Sequence, residues 1–526
     1  MRLILTSCAL LMALSTLAQT GQKKRKPIVA TAQGKLSGLH DSGIYHFKGI
    51  PFAQAPVGPF RWKAPQPPKP WEGVRTAETF GPRAMQRPIF DDMQFRSDGM
   101  SEDCLYLNIW TPSLQQEQSL PVLVYFYGGG LFTGDGSEFR YQGVNMARRG
   151  IVSITVNYRL NIFGFFAHPE LTAESPNAAS GNYGFLDQTA ALAWIKENIA
   201  AFGGDPNRIT IAGESAGSVS VSAQMVSPLS KNLIAGAIGS SGSLMGTLGA
   251  SPLSSEEQKG VDFAKSLGTK SLAELRQLSA DSLLAATSKV GLTHFSPTID
   301  GYFFPKAPFE LYESGEQAQV PLLIGWNSQE SSERAILGVA EPTPENFKAA
   351  VEKLYGKKAA QVLAVYKAEQ PKEILQAARD LAGDGFTGFS SWKWSDVHAQ
   401  TAQPVYRYYF TKARPASGLQ DVPVGQPWLE GGAVHSAEIE YAMGNLPTNR
   451  VYKWTAEDYQ VSNIFQSYYL NFVKTGNPNG LGLPSWPAIN KSETPQILHI
   501  GIPTTLHPDV HRQRYLVLDQ LRKAQD

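Results

Sequence analysis

The sequence predicts an α/β protein with a mostly parallel central sheet, helices on both faces and a small antiparallel sheet at the N-terminus. Three observations carry this. From about residue 104, short apolar runs alternate with segments of helical spacing, the pattern of βαβ units and of a parallel sheet covered on both sides. Several of those runs end in glycine. No internal repeat and no long polar linker breaks the rhythm, so the 526 residues read as one large domain over 28–526. This overrides a length prior of about 150 residues per domain.

Taken in order, the chain opens on a short basic segment, Met1-Arg2. An uncharged apolar stretch follows from Leu3 to Leu14, then small residues ending at Ala18. That is the form of a secretory signal peptide, residues 1–18, and the stretch is too short to span a bilayer comfortably. The expectation is an exported protein, periplasmic or secreted, without stable membrane insertion. A basic linker, 19–27, holds Lys23-Lys24-Arg25-Lys26. Residues 28–53 alternate apolar and polar around turns, as in a small antiparallel sheet. Pro121–Tyr127, Ile151–Tyr158, Arg208–Ala212, Val320–Trp326 and Val405–Phe410 are the buried runs expected as strands. Asp187–Phe202 has helical spacing, with Leu192, Ile195 and Ile199 on one face. Residues 254–290 and 344–384 read as helical excursions over the sheet's edge.

Composition excludes several classes of function. With 47 basic and 46 acidic residues, the chain lacks the clustered surplus of Lys and Arg that nucleic-acid binding requires. Losing Arg2 with the signal would leave 46 of each sign. Two cysteines exclude a disulfide scaffold and any Cys-based metal site; no cofactor and no metal is expected. Cleavage would remove Cys8 and leave Cys104.

The chemistry centres on Gly213-Glu214-Ser215-Ala216-Gly217, placed between the strand 208–212 and a helix expected from Ser218. A strand running through a tight turn into a helix holds a serine in a strained, exposed position. The flanking glycines are needed because a Cβ there would collide with neighbouring backbone. Upstream, Gly128-Gly129-Gly130 closes the strand 121–127. Paired with such an elbow, Gly129 and Gly130 would donate amides with Ala216 to a developing oxyanion. The serine needs a base and the base an orienting acid. Of nine histidines, His435 lies in a glycine-rich loop after a late strand, where such loops converge above the serine. His40, His46, His168, His499, His507 and His511 are less well placed. The acid should fall between serine and histidine, and spacing alone leaves Glu330 and Glu333 both open. Glu214, beside the serine, either tunes His435 or packs.

At this point the residues resemble a known family, the type-B carboxylesterases of the α/β-hydrolase fold, which include cholinesterases and bacterial para-nitrobenzyl esterases. The resemblance runs from about 28 to 520. It rests on Phe47–Ala53, Arg61-Trp62, Ser101–Asn108, Tyr127–Gly130, Asn157–Arg159, Gly181–Asp187, Phe202–Pro206, the elbow, Lys474–Pro478 and Trp486-Pro487. It implies hydrolysis of a small-molecule carboxylic ester through an acyl-enzyme. The family's Gly-x-x-x-x-Glu places the acid at Glu330, counted from Gly325, and its Gly-x-x-His places the base at His435. A supporting serine corresponds to Ser241. Two buried ion pairs correspond to Arg61 with Glu102 and Arg159 with Asp187.

Three departures matter. The family's disulfide partner of Cys104 is replaced by Ala84. The cholinesterase tryptophan that binds quaternary ammonium is replaced by Gln94, which removes a cation–π site and argues against choline esters. Tyr127 stands where related lipases carry histidine, without affecting the backbone amides. A catalytically dead binding protein, the other class of function this fold serves, would have lost the serine or the base, and both are present. The tripeptide Asn490-Lys-Ser492 is a glycosylation sequon only in a host that glycosylates secreted proteins, and a chance match otherwise.

Overall fold

The computed structural model describes residues 26–90, 92–288, 294–416, 432–490 and 492–523. The expected signal peptide and most of the basic linker lie outside them, as does Lys491 of the sequon. Eleven strands form the central sheet, numbered along the chain: β1 Leu39–Asp41, β2 Ile44–Pro51, β3 Tyr106–Thr111, β4 Leu120–Phe126, β5 Val152–Val156, β6 Gly204–Glu214, β7 Gly236–Ser240, β8 Leu322–Asn327, β9 Val405–Phe410, β10 Gln496–Ile500 and β11 Thr505–Pro508. Their spatial order is 11-10-9-8-7-6-4-5-3-2-1. Strands β4 to β10 run parallel to one another, while β3, β2 and β1 at one edge and β11 at the other are added by antiparallel pairing.

Residues 28–53 divide between two sheets. Ile28–Thr31 and Gly34–Ser37 form an antiparallel hairpin, joined by Val74–Thr76 in a separate three-stranded sheet. Residues 39–51 belong instead to the edge of the central sheet as β1 and β2. Alternation marks a strand with one buried face but does not say which sheet receives it. The inner strands β5, β7 and β8 are buried along their whole length, as a doubly covered parallel sheet requires.

Two helices position the site. Helix α1, Tyr183–Asn198, starts four residues before the expected Asp187 and tightens into a single 3₁₀ turn over Ile199–Phe202. Helix α2, Ala216–Val226, starts two residues before the expected Ser218 and is buried on every face; its Ser218, Ser220, Ser222 and Gln224 side chains donate to backbone carbonyls, as buried polar groups require. The excursions are helical, with Leu253–Ser266, Leu272–Gln277 and Ala280–Ala286 in the first and Pro344–Tyr355, Ala359–Val365 and Pro371–Gly383 in the second. No helix among the described residues is long and apolar enough to cross a membrane.

Register matters more to the site than strand count. Phe126 of β4 lies opposite Gly213 of β6, Glu214 opposite Ser240 of β7, and Ser240 opposite Gly325 of β8. The carboxyl ends of four strands therefore finish level. Because β5 lies on one side of β4 and β6 on the other, the chain changes direction at β4, and such switch points form the ligand crevices of open α/β sheets.

Both expected ion pairs are present. Arg61 meets Glu102 through two bonds of 2.7 and 2.6 Å, and Arg159 meets Asp187 through two of 2.7 Å. Asp187 also accepts the Arg159 backbone N–H at 3.0 Å. Cys104 is free and buried, and it lines one small void together with Ala84. Burial, reinforced by the nearby Asp187, pushes its thiol well above the ordinary range, so it is inert as a nucleophile. Asn490 holds the start of β9: its side chain accepts the Val405 N–H at 2.8 Å and donates to the Gln403 carbonyl at 2.7 Å.

Removing one partner of a buried pair strands the other charge. Asp187→Ala is therefore expected to lower the unfolding free energy by about 3–5 kcal/mol in urea titration. Arg159→Met combined with Asp187→Leu is expected to recover most of that loss. A single-variant loss under about 1 kcal/mol would refute this reading of the pair.

Candidate active site

Ser215 sits between β6 and α2 at φ 56°, ψ −122°, a conformation few L-residues adopt, costing on the order of 1–3 kcal/mol. Its N–H is anchored on the Ser240 carbonyl at 2.8 Å. A Cβ on Gly213 would lie 2.4 Å from the Gly217 backbone, and one on Gly217 would lie 2.1 Å from the Phe126 carbonyl. Both glycines are thus required by close backbone approach, as the motif implied. Gly128, not singled out by the sequence beyond its place in the triplet, is held as tightly. Its Cβ would stand 2.7 Å from the Glu214 carbonyl and 3.1 Å from the Ser215 Cβ.

His435 Nε2 lies 3.0 Å from Ser215 Oγ, and His435 Nδ1 lies 2.6 Å from Glu330 Oε2. The other oxygen of Glu330 accepts the Ser241 hydroxyl and the Asn327 N–H, each at 2.6 Å. Glu333 points elsewhere and receives Arg379 at 2.9 Å. Of the two acids that spacing left open, Glu330 is the one at the histidine. The loops carrying acid and base are stitched together: Gln329 N–H donates to the Ala433 carbonyl at 2.8 Å, and Asn327 Nδ2 donates to the Val434 carbonyl at 2.8 Å. Asn327 was not legible in the sequence as a site residue. Its only signal was its place two residues beyond Gly325, at the end of β8.

Gly129 and Gly130 adopt φ of 110° and 67° and line the cavity that also holds Ser215 and His435. Among the described residues, neither of their N–H groups has an acceptor. Ala216 opens α2, so its N–H has no intrahelical partner. The cavity encloses about 470 Å³, within the usual range for small-molecule sites. Its walls include Phe132, Leu248 and Phe386, and the Phe386 ring meets the His435 ring edge-on with centroids 5.0 Å apart. Gln94 lines a separate cleft with Phe139 and Pro447, while Asp92 and Met93 beside it line the cavity with Ser215. His168 caps a short helix by accepting the Glu170 N–H at 3.2 Å. His435 is the histidine lining the cavity.

Three buried carboxylates surround the imidazole. Glu214 Oε1 approaches His435 Nε2 to 3.2 Å, opposite the side held by Glu330. Glu438, three residues after the histidine, accepts Asn327 Nδ2 at 2.6 Å. Burial raises Glu214 to about 8 and Glu438 to about 7. Burial works against the imidazolium of His435, but the facing charges of Glu214 and Glu330 outweigh it and raise His435 to about 9. Glu214 and His435 thus shift each other, the carboxylate raising the imidazole and the imidazolium lowering the carboxyl.

A serine on a strand–turn–helix elbow above the level ends of a mostly parallel sheet defines an α/β-hydrolase. The chain belongs to the carboxylesterase family, whose pattern matches residues 25–517. It is 33% identical over 509 residues to the para-nitrobenzyl esterase of Bacillus subtilis, covering 93% of this chain and 97% of that protein. It is 35% identical over 535 residues to the medium-chain fatty acyl-CoA hydrolase precursor of Anas platyrhynchos, covering 93% and 91%. Among solved structures it resembles a carboxylesterase of Geobacillus stearothermophilus with a TM-score of 0.79 and 31% identity, covering 93% of this chain and 99% of that one. The chain is accordingly a carboxylic-ester hydrolase.

Because an anion beside an imidazolium stabilises it, removing the charge of Glu214 makes His435 neutral at lower pH. In Glu214→Gln the acid limb of the pH profile of kcat/KM is expected to move to lower pH by about one unit or more. An unmoved limb, or one moved upward, would show that Glu214 only packs.

Proposed function

We propose that the enzyme cleaves a small-molecule ester through a serine acyl-enzyme and that it is exported. Ser215 Oγ attacks the ester carbonyl while His435 Nε2 takes its proton. Glu330 holds Nδ1–H, fixing the tautomer and balancing the imidazolium. Ser241 and Asn327 hold Glu330. The oxyanion of the tetrahedral intermediate lies against the N–H groups of Gly129, Gly130 and Ala216, donors aimed where charge develops. The C–O bond to the alcohol breaks, and the alcohol leaves with the proton from His435. Water then attacks the acyl-enzyme, gives its proton to His435, and the acid departs as Ser215 is reprotonated. The observation that carries this reading is the unbroken chain Ser215–His435–Glu330, at 3.0 and 2.6 Å, opening on a largely apolar cavity beside two unengaged glycine amides. That lining suits an uncharged ester, as does the family's para-nitrobenzyl esterase. Residues 28–526 are proposed to act as a single domain.

Ser215→Ala is expected to lower kcat on a p-nitrophenyl acyl ester by about 10⁴-fold or more, and to abolish the covalent fluorophosphonate adduct seen by intact mass. Activity at the parent rate would overturn the assignment. For export, the protein produced in a host with a functional secretion system is expected to begin at Gln19 by N-terminal sequencing. Accumulation of an uncleaved chain starting at Met1 would overturn it.

A further inference from the structure

Two arginines fasten the residue that follows the base. Ser436 comes directly after His435 and has a left-handed backbone at φ 66°, where glycine is free of strain and serine is not. A side chain kept at such a position needs a reason, and its contacts supply one. Arg140 Nη1 donates to the Ser436 hydroxyl at 3.3 Å, and Arg414 Nη2 donates to the Ser436 carbonyl at 3.1 Å. Both arginine side chains are buried, each 6% exposed. Arg140 is held in turn by Glu138 through Nε and by Asp92 at 3.2 Å, and Arg414 by Glu440 at 3.1 Å. The backbone under Arg140 is pinned as well, because Asn445 Nδ2 donates to the carbonyls of Arg140 and Gln142 at 3.0 and 2.9 Å. Arg140 stands on the segment that continues from the oxyanion glycines Gly129 and Gly130.

We propose that Arg140 is a positioning residue that, by holding the Ser436 hydroxyl, fixes the imidazole of His435 in line with Ser215 and at a set distance from the oxyanion amides. This rests on the acyl-enzyme reading of the same site. The acid loop braces the base from before, through the Ala433 and Val434 carbonyls. Ser436 braces it from after. An imidazole held from both sides is already in place for the serine proton and for the leaving oxygen, and a misplacement of about 1 Å costs about a hundredfold in rate. The same contact ties the base loop to the segment carrying the oxyanion donors, so both halves of the catalytic apparatus keep one spacing.

Two variants remove this contact without changing a charge. Ser436→Gly deletes the hydroxyl and relieves the left-handed backbone, so a role in stability alone predicts an unchanged or higher melting midpoint and parent activity. Arg140→Lys keeps a cation beside Glu138 but gives up the planar fork that reaches Glu138, Asp92 and Ser436 together. Each is expected to lower kcat on p-nitrophenyl butyrate by about tenfold, with KM within about twofold of the parent and the acid limb of the pH profile unmoved. Because both delete one contact, the double variant is expected to lose no more than about threefold beyond either single variant. Parent kcat in Ser436→Gly, single losses that multiply in the double variant, or a loss carried by KM alone overturns the proposal. Ser436→Gly decides by itself if Arg140→Lys does not fold. A parent enzyme that takes no fluorophosphonate adduct would instead count against the acyl-enzyme reading.

Discussion

The structure depends on how closely the backbone packs where β4, β6 and α2 meet. Ser215 holds its strained conformation because the turn has nowhere else to go. Gly213 abuts Gly217, Gly217 abuts the Phe126 carbonyl, and Gly128 abuts Glu214 and Ser215, all at separations that a Cβ would bring to 3.1 Å or less. Such contacts are available only if the strands finish level, and the parallel register from β4 through β8 makes them do so. The cost of one unusual φ/ψ pair, a few kcal/mol at most, is spread over a sheet buried on both faces. Strain at the nucleophile and burial of the core are thus one arrangement seen at two scales.

Electrostatics imposes a second condition. Glu214, Glu330 and Glu438 are all buried close to one imidazole, and isolated carboxylates in such a place would be strongly disfavoured. Glu330 is stabilised by two short donors, the Ser241 hydroxyl and the Asn327 N–H. Glu438 takes the Asn327 amide on one oxygen. Glu214 has only the histidine facing its Oε1, and burial raises it further than Glu438. The three therefore differ in what holds them. The acid that must stay charged is the best bonded, and the one facing Nε2 shares its charge state with the imidazole. Asn327 links two of the three, and its amide also spans to the loop that carries the base.

Much of this was legible in the chain. Buried parallel strands are unmixed apolar runs, so β4, β5, β8 and β9 stood out within a residue or two of their ends. The elbow and the triplet glycines were legible because steric exclusion leaves only glycine at such points. Features that depend on a distant partner were not. Alternation in residues 28–53 marked strands but not that half of them join the central sheet. Spacing left Glu330 and Glu333 equal, because what separates them is Arg379, drawn to Glu333 from a helix 46 residues further on. Gln94 was read through a resemblance that put its counterpart in the substrate gorge; its loop does reach the cavity through Asp92 and Met93, while Gln94 itself lines a neighbouring cleft. Asn327, Glu438 and Asn161 sit in plain view beside residues that were noticed, but nothing local marks a side chain whose partner lies more than a hundred residues along the chain.

These differences also show where this fold has room to vary. At the elbow, backbone meets backbone within contact distance, and no side chain is admitted. Across the cavity the walls face open space, so a change there alters what binds without disturbing the turn. Asn161 lies where the two regimes meet. Its backbone is a glycine-like position, left-handed at φ 46° and fixed to the Leu131 carbonyl, directly after the loop that carries the unengaged amides of Gly129 and Gly130, while its side chain belongs to the wall. That is the physical condition under which one catalytic scaffold can serve many different esters.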